Sequence, residues 1–241
     1  MYYDLLYKDK NYKAEAGYVV QVIRSLNANA TTILELGCGT GNHAAILCQE
    51  GYQVTGLERS ADMLAIANEK AIPGFNAVHT DITHFDLDAK FDVAISLFHV
   101  VSYLQHNEAL VSCFNAVNSH LNAKGLFIFD VWYTPAVNHQ QPATRVKRMD
   151  DDFIKVTRFA EPEIHTNENV VDVNYEIIIQ NKATGLSETY YENHPMRHFC
   201  IPELEILARL TGFELIRSEE FQTGRLPGTD TWGVCFILQK I

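Results

Sequence analysis

No run in this sequence approaches the roughly 18 consecutive apolar residues that a membrane helix requires, so a membrane partner is not expected. Basic residues are scarce. Nineteen Lys and Arg stand against 30 Asp and Glu, a formal net charge of −11. Nucleic-acid binding rests on Lys and Arg neutralising phosphates, so that class of partner is excluded on charge. The densest basic patch, Arg145-Val146-Lys147-Arg148, is short, and Asp150-Asp151-Asp152 behind it reads as a solvated turn. Cysteine is also sparse. Five are scattered, none at CxxC spacing, so neither a zinc knuckle nor a disulfide framework is expected, and no metal site. Reduced thiols in a cytoplasm are the plain reading. Met1 to Leu6 has no basic stretch followed by an apolar one, so no secretory leader is expected.

What is present is an ordinary globular balance: 47% hydrophobic and 20% charged residues over 241 positions. That length suits one large domain, or one domain with an insertion. The acidic excess still permits a small anionic ligand, because a pocket can differ from the global sum.

Apolar periodicity alternates between strand and helix. A helix is expected over residues 14–26, followed by strands at 31–36, 52–57, 75–79, 91–97 and 126–131. Helices at 42–50, 60–71 and 107–121 separate most of them, with Ser60 as an N-cap and Gly51 as a C-terminal cap. Strand and helix in alternation mark an α/β doubly wound parallel sheet. The rhythm then changes. Residues 153–159, 170–179 and 186–192 read as three strands of an inserted antiparallel sheet, with a turn at 181–185. The boundaries place the cofactor core at 1–143 and 200–241, with the insertion at 144–199 as a substrate lid or a dimer interface. A helix at 202–211 and strands at 213–218 and 233–239 close the chain.

The most informative stretch is Ile33-Leu34-Glu35-Leu36-Gly37-Cys38-Gly39-Thr40-Gly41-Asn42. A strand enters a glycine turn and a helix leaves it. Glycine lets a ligand approach the backbone, and the helix start offers free amides to an anionic group. A dinucleotide fingerprint needs a third glycine where this chain has Asn42. Glu58 ends the second strand, where a carboxylate accepts from ribose hydroxyls. Asp81, in His79-Thr80-Asp81-Ile82, ends the third, within reach of an adenine amine.

These residues together resemble the class I S-adenosylmethionine-dependent methyltransferases. The resemblance implies a Rossmann-like seven-stranded sheet and S-adenosyl-L-methionine as cofactor. It runs through Leu34 to Gly41, Val54 to Glu58 with Met63 after it, Asp81-Ile82, and Phe91-Asp92-Val93-Ala94-Ile95-Ser96-Leu97. It implies cofactor contacts at Tyr12, Glu35, Gly37, Gly39, Glu58, Met63, Asp81, Ile82 and Leu97. A narrower resemblance, to the N-methyltransferases of nucleotide-linked aminodeoxysugars, rests on Tyr3-Asp4-Leu5-Leu6-Tyr7 to Ala16, on Phe98 to Leu104, on Asp130-Val131-Trp132-Tyr133 and on His194 to Phe199. It implies a small-molecule amine acceptor, first an amino sugar.

Methyl transfer is an in-line displacement, so holding the reactants does most of the work. An amine acceptor must be neutral to attack, and a carboxylate or imidazole can take its proton. Asp130, at the end of the fifth strand, is a candidate to hold an ammonium and take that proton, or a cap for the next turn. His99 is a candidate base or a structural histidine, and His194 a third catalytic candidate. Arg197 would clamp a substrate carboxylate or phosphate, or pair with a carboxylate of the chain. His198, Tyr103, Trp132 and Tyr133 complete the candidate substrate contacts. Two other classes stay open on the residues alone: a nicotinamide-dependent oxidoreductase, and a non-catalytic protein that keeps the cofactor fold.

Overall fold

A computed structural model describes Leu5, Leu6 and residues 8–241. The leader reading at Met1 to Leu6, and Tyr3, Asp4 and Tyr7 of the N-terminal resemblance, fall wholly or partly outside these described residues.

Helix α1 (Tyr12–Leu26) precedes β1 (Thr32–Leu36), α2 (Asn42–Gln49), β2 (Gln53–Glu58), α3 (Ala61–Glu69), β3 (Phe75–His79) and β4 (Phe91–Ser96). A 3-10 turn, Val100–Tyr103, leads into α4 (Asn107–His120) and the long strand β5 (Leu121–Tyr133). The caps follow sequence chemistry. Asn11 accepts from the Ala14 amide and Ser60 from the Met63 amide, which satisfies amides that have no partner inside the helix. Then come α5 (Thr134–Gln140), β6 (Arg145–Asp150), β7 (Ile154–His165), β8 (Val170–Asn181), β9 (Ser187–Phe199), α6 (Ile201–Leu210), β10 (Phe213–Glu220) and β11 (Gly233–Lys240).

Seven strands form the core sheet in the order β3-β2-β1-β4-β5-β11-β10, with β11 antiparallel to β5. One face packs Leu34, Leu36, Phe127 and Phe129 against α4 and α6, where Phe114 meets Phe127 and Phe129 edge-on. The other packs Ile33, Val93, Ile95 and Ile128 against α1 and α2. Each such fully buried side chain contributes about 1.5–3 kcal/mol.

The inserted segment differs from expectation in two ways. It has four strands, not three, because Arg145 to Asp150 pairs with β7 as an antiparallel strand. Four of its six residues are charged and fall on both faces, so no apolar alternation marks the strand. Nor is the inserted sheet separate. Trp132 and Tyr133 of β5 pair with His198 and Phe199 of β9. The β4 ladder on β5 ends at Ser96↔Phe129, while β11 holds the other edge as far as Trp132. Strand β9 therefore takes over the edge that β4 leaves, and a cleft opens beyond the end of β4. Strand β5 also starts earlier than expected, with an irregularity in its ladder between Leu121 and Leu126. Helix α5 was not expected; Pro135 in its first turn suits a helix start. Among the described residues no helix is long and apolar enough to cross a membrane.

Candidate active site

The cleft lies at the C-terminal ends of β1, β2, β3 and β4, where doubly wound sheets bind ligands, and has a volume of about 680 Å³. The inserted sheet forms its opposite wall through Arg145, Arg158, Val173, Tyr175, His194 and Met196.

The glycine turn is anchored from below. The Gly37 and Cys38 amides both donate to the Leu57 carbonyl, at 2.8 and 3.0 Å. Gly37 has φ 68°, and a Cβ there would lie 2.8 Å from both Val100 methyls. Gly39 has φ 56°, and a Cβ there would find only the Met63 sulfur, at 3.9 Å. Its backbone is thus open to a ligand. The Glu58 carboxylate accepts from the Gly39 amide at 2.9 Å and from the Ser60 amide at 2.8 Å. It ties the turn to the start of α3, and its remaining lone pairs can still accept from a ligand. Asp81 accepts from the Thr83 amide and hydroxyl at 2.8 and 2.6 Å. Those bonds, the Thr83 hydroxyl first, hold its carboxyl below the usual range against the opposing effect of partial burial. Tyr12, Met63, Ile82 and Leu97 also line the cleft.

Glu35 sits beneath the turn rather than on the wall. It is 2% exposed, and burial pushes its carboxyl up to about 7. Among the described residues its Oε2 has no hydrogen-bond partner.

On the cleft floor, His99 Nδ1 lies 2.7 Å from Asp130 Oδ2. The His99 amide donates to Asp130 Oδ1 at 3.3 Å. Burial opposes the charge on Asp130, yet His99 holds its carboxyl below the usual range. Phe98 and His99 both have positive φ, 66° and 61°, a conformation that costs a non-glycine residue about 1 kcal/mol or more. The ring of Trp132 packs edge-on against His99. Across the cleft, the Tyr103 hydroxyl lies 2.7 Å from His194 Nδ1, and His194 Nε2 lies 2.9 Å from Glu192.

Three residues expected on the substrate wall lie elsewhere. Tyr133 is 8% exposed, in the apolar core with Phe199 and Leu204. Arg197 points to the opposite face from His194. It bonds the Gln105 carbonyl at 2.9 Å and pairs with Glu203 at 2.6 Å. His198 is buried where β9 meets β5 and shares a 2.9 Å bond with Thr134. Asp130 itself is 1% exposed and meets the cleft only through His99. Sequence reasoning missed Arg145, Arg158 and Tyr175, where the Arg158 guanidinium lies 4.6 Å from the Tyr175 ring centre. Glu163, His165 and Asp172 come within metal-binding reach of one another, but on β7 and β8 outside the cleft lining.

The described residues fit S-adenosylmethionine. An open glycine backbone, a carboxylate at the end of β2 and an unpartnered buried carboxyl suit a cationic nucleoside. A methyltransferase domain model matches residues 33–125. Over 228 residues the chain is 31% identical to a dTDP-3-amino-3,6-dideoxy-alpha-D-glucopyranose N,N-dimethyltransferase of Streptomyces fradiae, covering 94% of this chain and 86% of that protein. The chain belongs to the S-adenosylmethionine-dependent methyltransferases. That membership sets aside the oxidoreductase reading, and Asn42 accords with it.

The methyltransferase is also 34% identical over 135 residues to a dTDP-3-amino-3,4,6-trideoxy-alpha-D-glucopyranose N,N-dimethyltransferase of Streptomyces venezuelae, 55% of this chain and 56% of that one. It spans little more than half the length of that relative. Its fold matches the crystal structure of an S-adenosylmethionine-dependent methyltransferase from Clostridium acetobutylicum, with a TM-score of 0.85 at 21% identity over 99% of this chain and 96% of that one. The cofactor supplies an electrophilic methyl group on its sulfonium. The glycine turn, Glu58 and the ends of β3 and β4 line the cleft that would hold it.

Proposed function

We propose that this methyltransferase methylates the amine of a nucleotide-linked amino sugar. The observation that carries the reading is the His99–Asp130 pair. His99 Nδ1 lies 2.7 Å from Asp130 Oδ2 but makes no hydrogen bond there as it stands; a small turn of the ring would let Nδ1–H donate to Asp130 and leave the Nε2 lone pair to the cleft. An ammonium acceptor gives a proton to Nε2 and becomes a neutral amine. With the cofactor bound, the neutral amine would bond to its methyl carbon as the carbon–sulfur bond broke, the electron pair leaving with sulfur. The methylated product would leave as the ammonium, and His99 passes the one proton it took to solvent. Alignment of nitrogen, carbon and sulfur is the main source of rate.

The acceptor class is supported by the relatives, which are named as dTDP-amino sugar N,N-dimethyltransferases. It is supported too by the inserted wall. Arg145 and Arg158 face the cleft in a chain with an acidic excess, and guanidinium forks suit a diphosphate. On this reading the insertion is a substrate wall, and His194 and Tyr103 contact the sugar.

The test is incubation with S-adenosylmethionine and dTDP-linked 3-amino and 4-amino deoxysugars, with product mass read by spectrometry. One or two added methyl groups on the nitrogen are expected. Arg158→Ala should raise KM for the dTDP-sugar about tenfold or more, the worth of a charge-assisted hydrogen bond, without matching loss of kcat. Transfer to free amines but to no nucleotide-linked sugar would refute the acceptor.

A further inference from the structure

Along the cleft one side chain leads to the next, from the inserted wall to the floor. The Arg158 guanidinium lies 4.6 Å from the Tyr175 ring centre, and that ring centre lies 4.8 Å from the centre of the His194 ring. His194 Nδ1 lies 2.7 Å from the Tyr103 hydroxyl. Tyr103 ends the 3-10 turn whose N-cap is His99. At about 2 Å of rise per residue, that turn sets the two backbones about 8 Å apart. All five residues line the cleft, so their order in it is Arg158, Tyr175, His194, Tyr103, His99.

Tyr103 is fixed from behind. Glu192 and His194 stand two apart on β9, on one face of the sheet, opposite Tyr175 and Val173 of β8. A carboxylate only accepts, so His194 Nε2–H donates to Glu192 at 2.9 Å. Nδ1 is left to the phenol. With Nδ1 bare, the Tyr103 O–H donates to it, and the phenol oxygen accepts from the cleft. With Nδ1 protonated, the phenol oxygen accepts from it, and the O–H donates to the cleft. A sugar hydroxyl both donates and accepts, so it matches Tyr103 in either state. A methylene matches neither.

We propose that Tyr103 binds the sugar hydroxyl between the phosphate-bearing and the amine-bearing carbons, the 2-hydroxyl of a 3-amino sugar, with Glu192 and His194 as its positioning residues, a reading that rests on the acceptor class proposed above and deepens it. With the diphosphate at Arg158 and the amine at His99, Tyr103 falls between them in the row, as the 2-hydroxyl falls between the two carbons in the sugar. A site built to bond a hydroxyl rejects the analogue that lacks it, because the site's own polar group is left unpaired.

The test is kcat/KM for dTDP-3-amino-3,6-dideoxyglucose and for its 2-deoxy counterpart, at saturating S-adenosylmethionine. Wild type should prefer the hydroxylated sugar about 10- to 100-fold, the range for one hydrogen bond left unmade. Tyr103→Phe should lose that preference by slowing on the hydroxylated sugar alone, with affinity for S-adenosylhomocysteine unchanged. Glu192→Ala should narrow the preference, and Glu192→Gln, which keeps an acceptor for Nε2–H, should restore most of it. A merely structural role would leave this ratio unmoved. Equal efficiency on both sugars in wild type, or an undiminished preference in Tyr103→Phe, would overturn the proposal. An unchanged ratio in Glu192→Ala would remove the positioning role. Transfer to neither sugar would instead bring down the acceptor class, and this inference with it. The wild-type comparison needs no variant to fold.

Discussion

His99 Nδ1 and Asp130 Oδ2 lie 2.7 Å apart although 31 residues separate them in sequence. The turn after β4 and the end of β5 meet because the two strands are parallel neighbours, in register from Val93↔Leu126 to Ser96↔Phe129. The pair buries a carboxylate and aims an imidazole into the cleft.

Asp130→Asn keeps the shape and removes the charge. On the proposed chemistry kcat should fall about 100-fold, within the usual range for general acid–base assistance, with the affinity for S-adenosylhomocysteine unchanged. Steady-state kinetics and calorimetry read the two quantities. An unaltered kcat would reduce Asp130 to a structural cap.

Glu58→Ala leaves the Gly39 and Ser60 amides without their acceptor. The cofactor should bind about 10- to 100-fold more weakly, the equivalent of about 1.4–2.8 kcal/mol. Glu58→Gln, which retains one acceptor oxygen, should recover part of that loss. Titration of both variants checks the order.

Two glycines of the same turn should fail differently. Gly37→Ala drives a Cβ to 2.8 Å from the Val100 methyls at positive φ, so stability should fall by about 1–3 kcal/mol. Gly39→Ala meets only Met63 at 3.9 Å, so it should lose less stability and more cofactor affinity. Thermal melts with and without S-adenosylhomocysteine separate the two effects.

Acid should destabilise the junction of β5 and β9. Burial first, and the neighbouring Arg197 second, lower His198 to about 4 from an ordinary 6.5. Between those values the unfolded chain binds the proton and the folded chain does not. The contribution is therefore complete above pH 6.5 and is lost as pH falls toward 4, by about 1–3 kcal/mol over the window. His198→Gln should flatten this part of the urea-denaturation profile. An equally steep profile in the variant would assign the acid sensitivity elsewhere.

Much of the cofactor half was legible because local backbone demands write themselves into residue types. Gly37, Gly39 and Gly41 occupy left-handed conformations, and Ser60 caps α3 as its place before a helix implied. Asp130 and His99 were singled out by their positions at strand ends, but only the register of β4 on β5 brings them together. The substrate wall was less legible. Arg145 stood only in a short basic patch and Arg158 carried no local signal; the pairing of β6 with β7, Val146 opposite Phe159, is what sets their direction. Tyr133, Arg197 and His198 were misplaced for a related reason. The β9 pairing with β5 decides which of their faces is covered, and no local pattern announces a ladder two residues long.

That short ladder also bears on how such an enzyme changes its acceptor. Trp132↔His198 and Tyr133↔Phe199 are the backbone pairs that join β9 to β5, whereas β8 and β9 pair along eleven positions, from Val170↔Arg197 to Gln180↔Ser187. The inserted hairpins are held mainly by each other. On the proposed function, an acceptor wall joined to the cofactor sheet by so short a ladder could vary in length with little strain on the seven strands of that sheet.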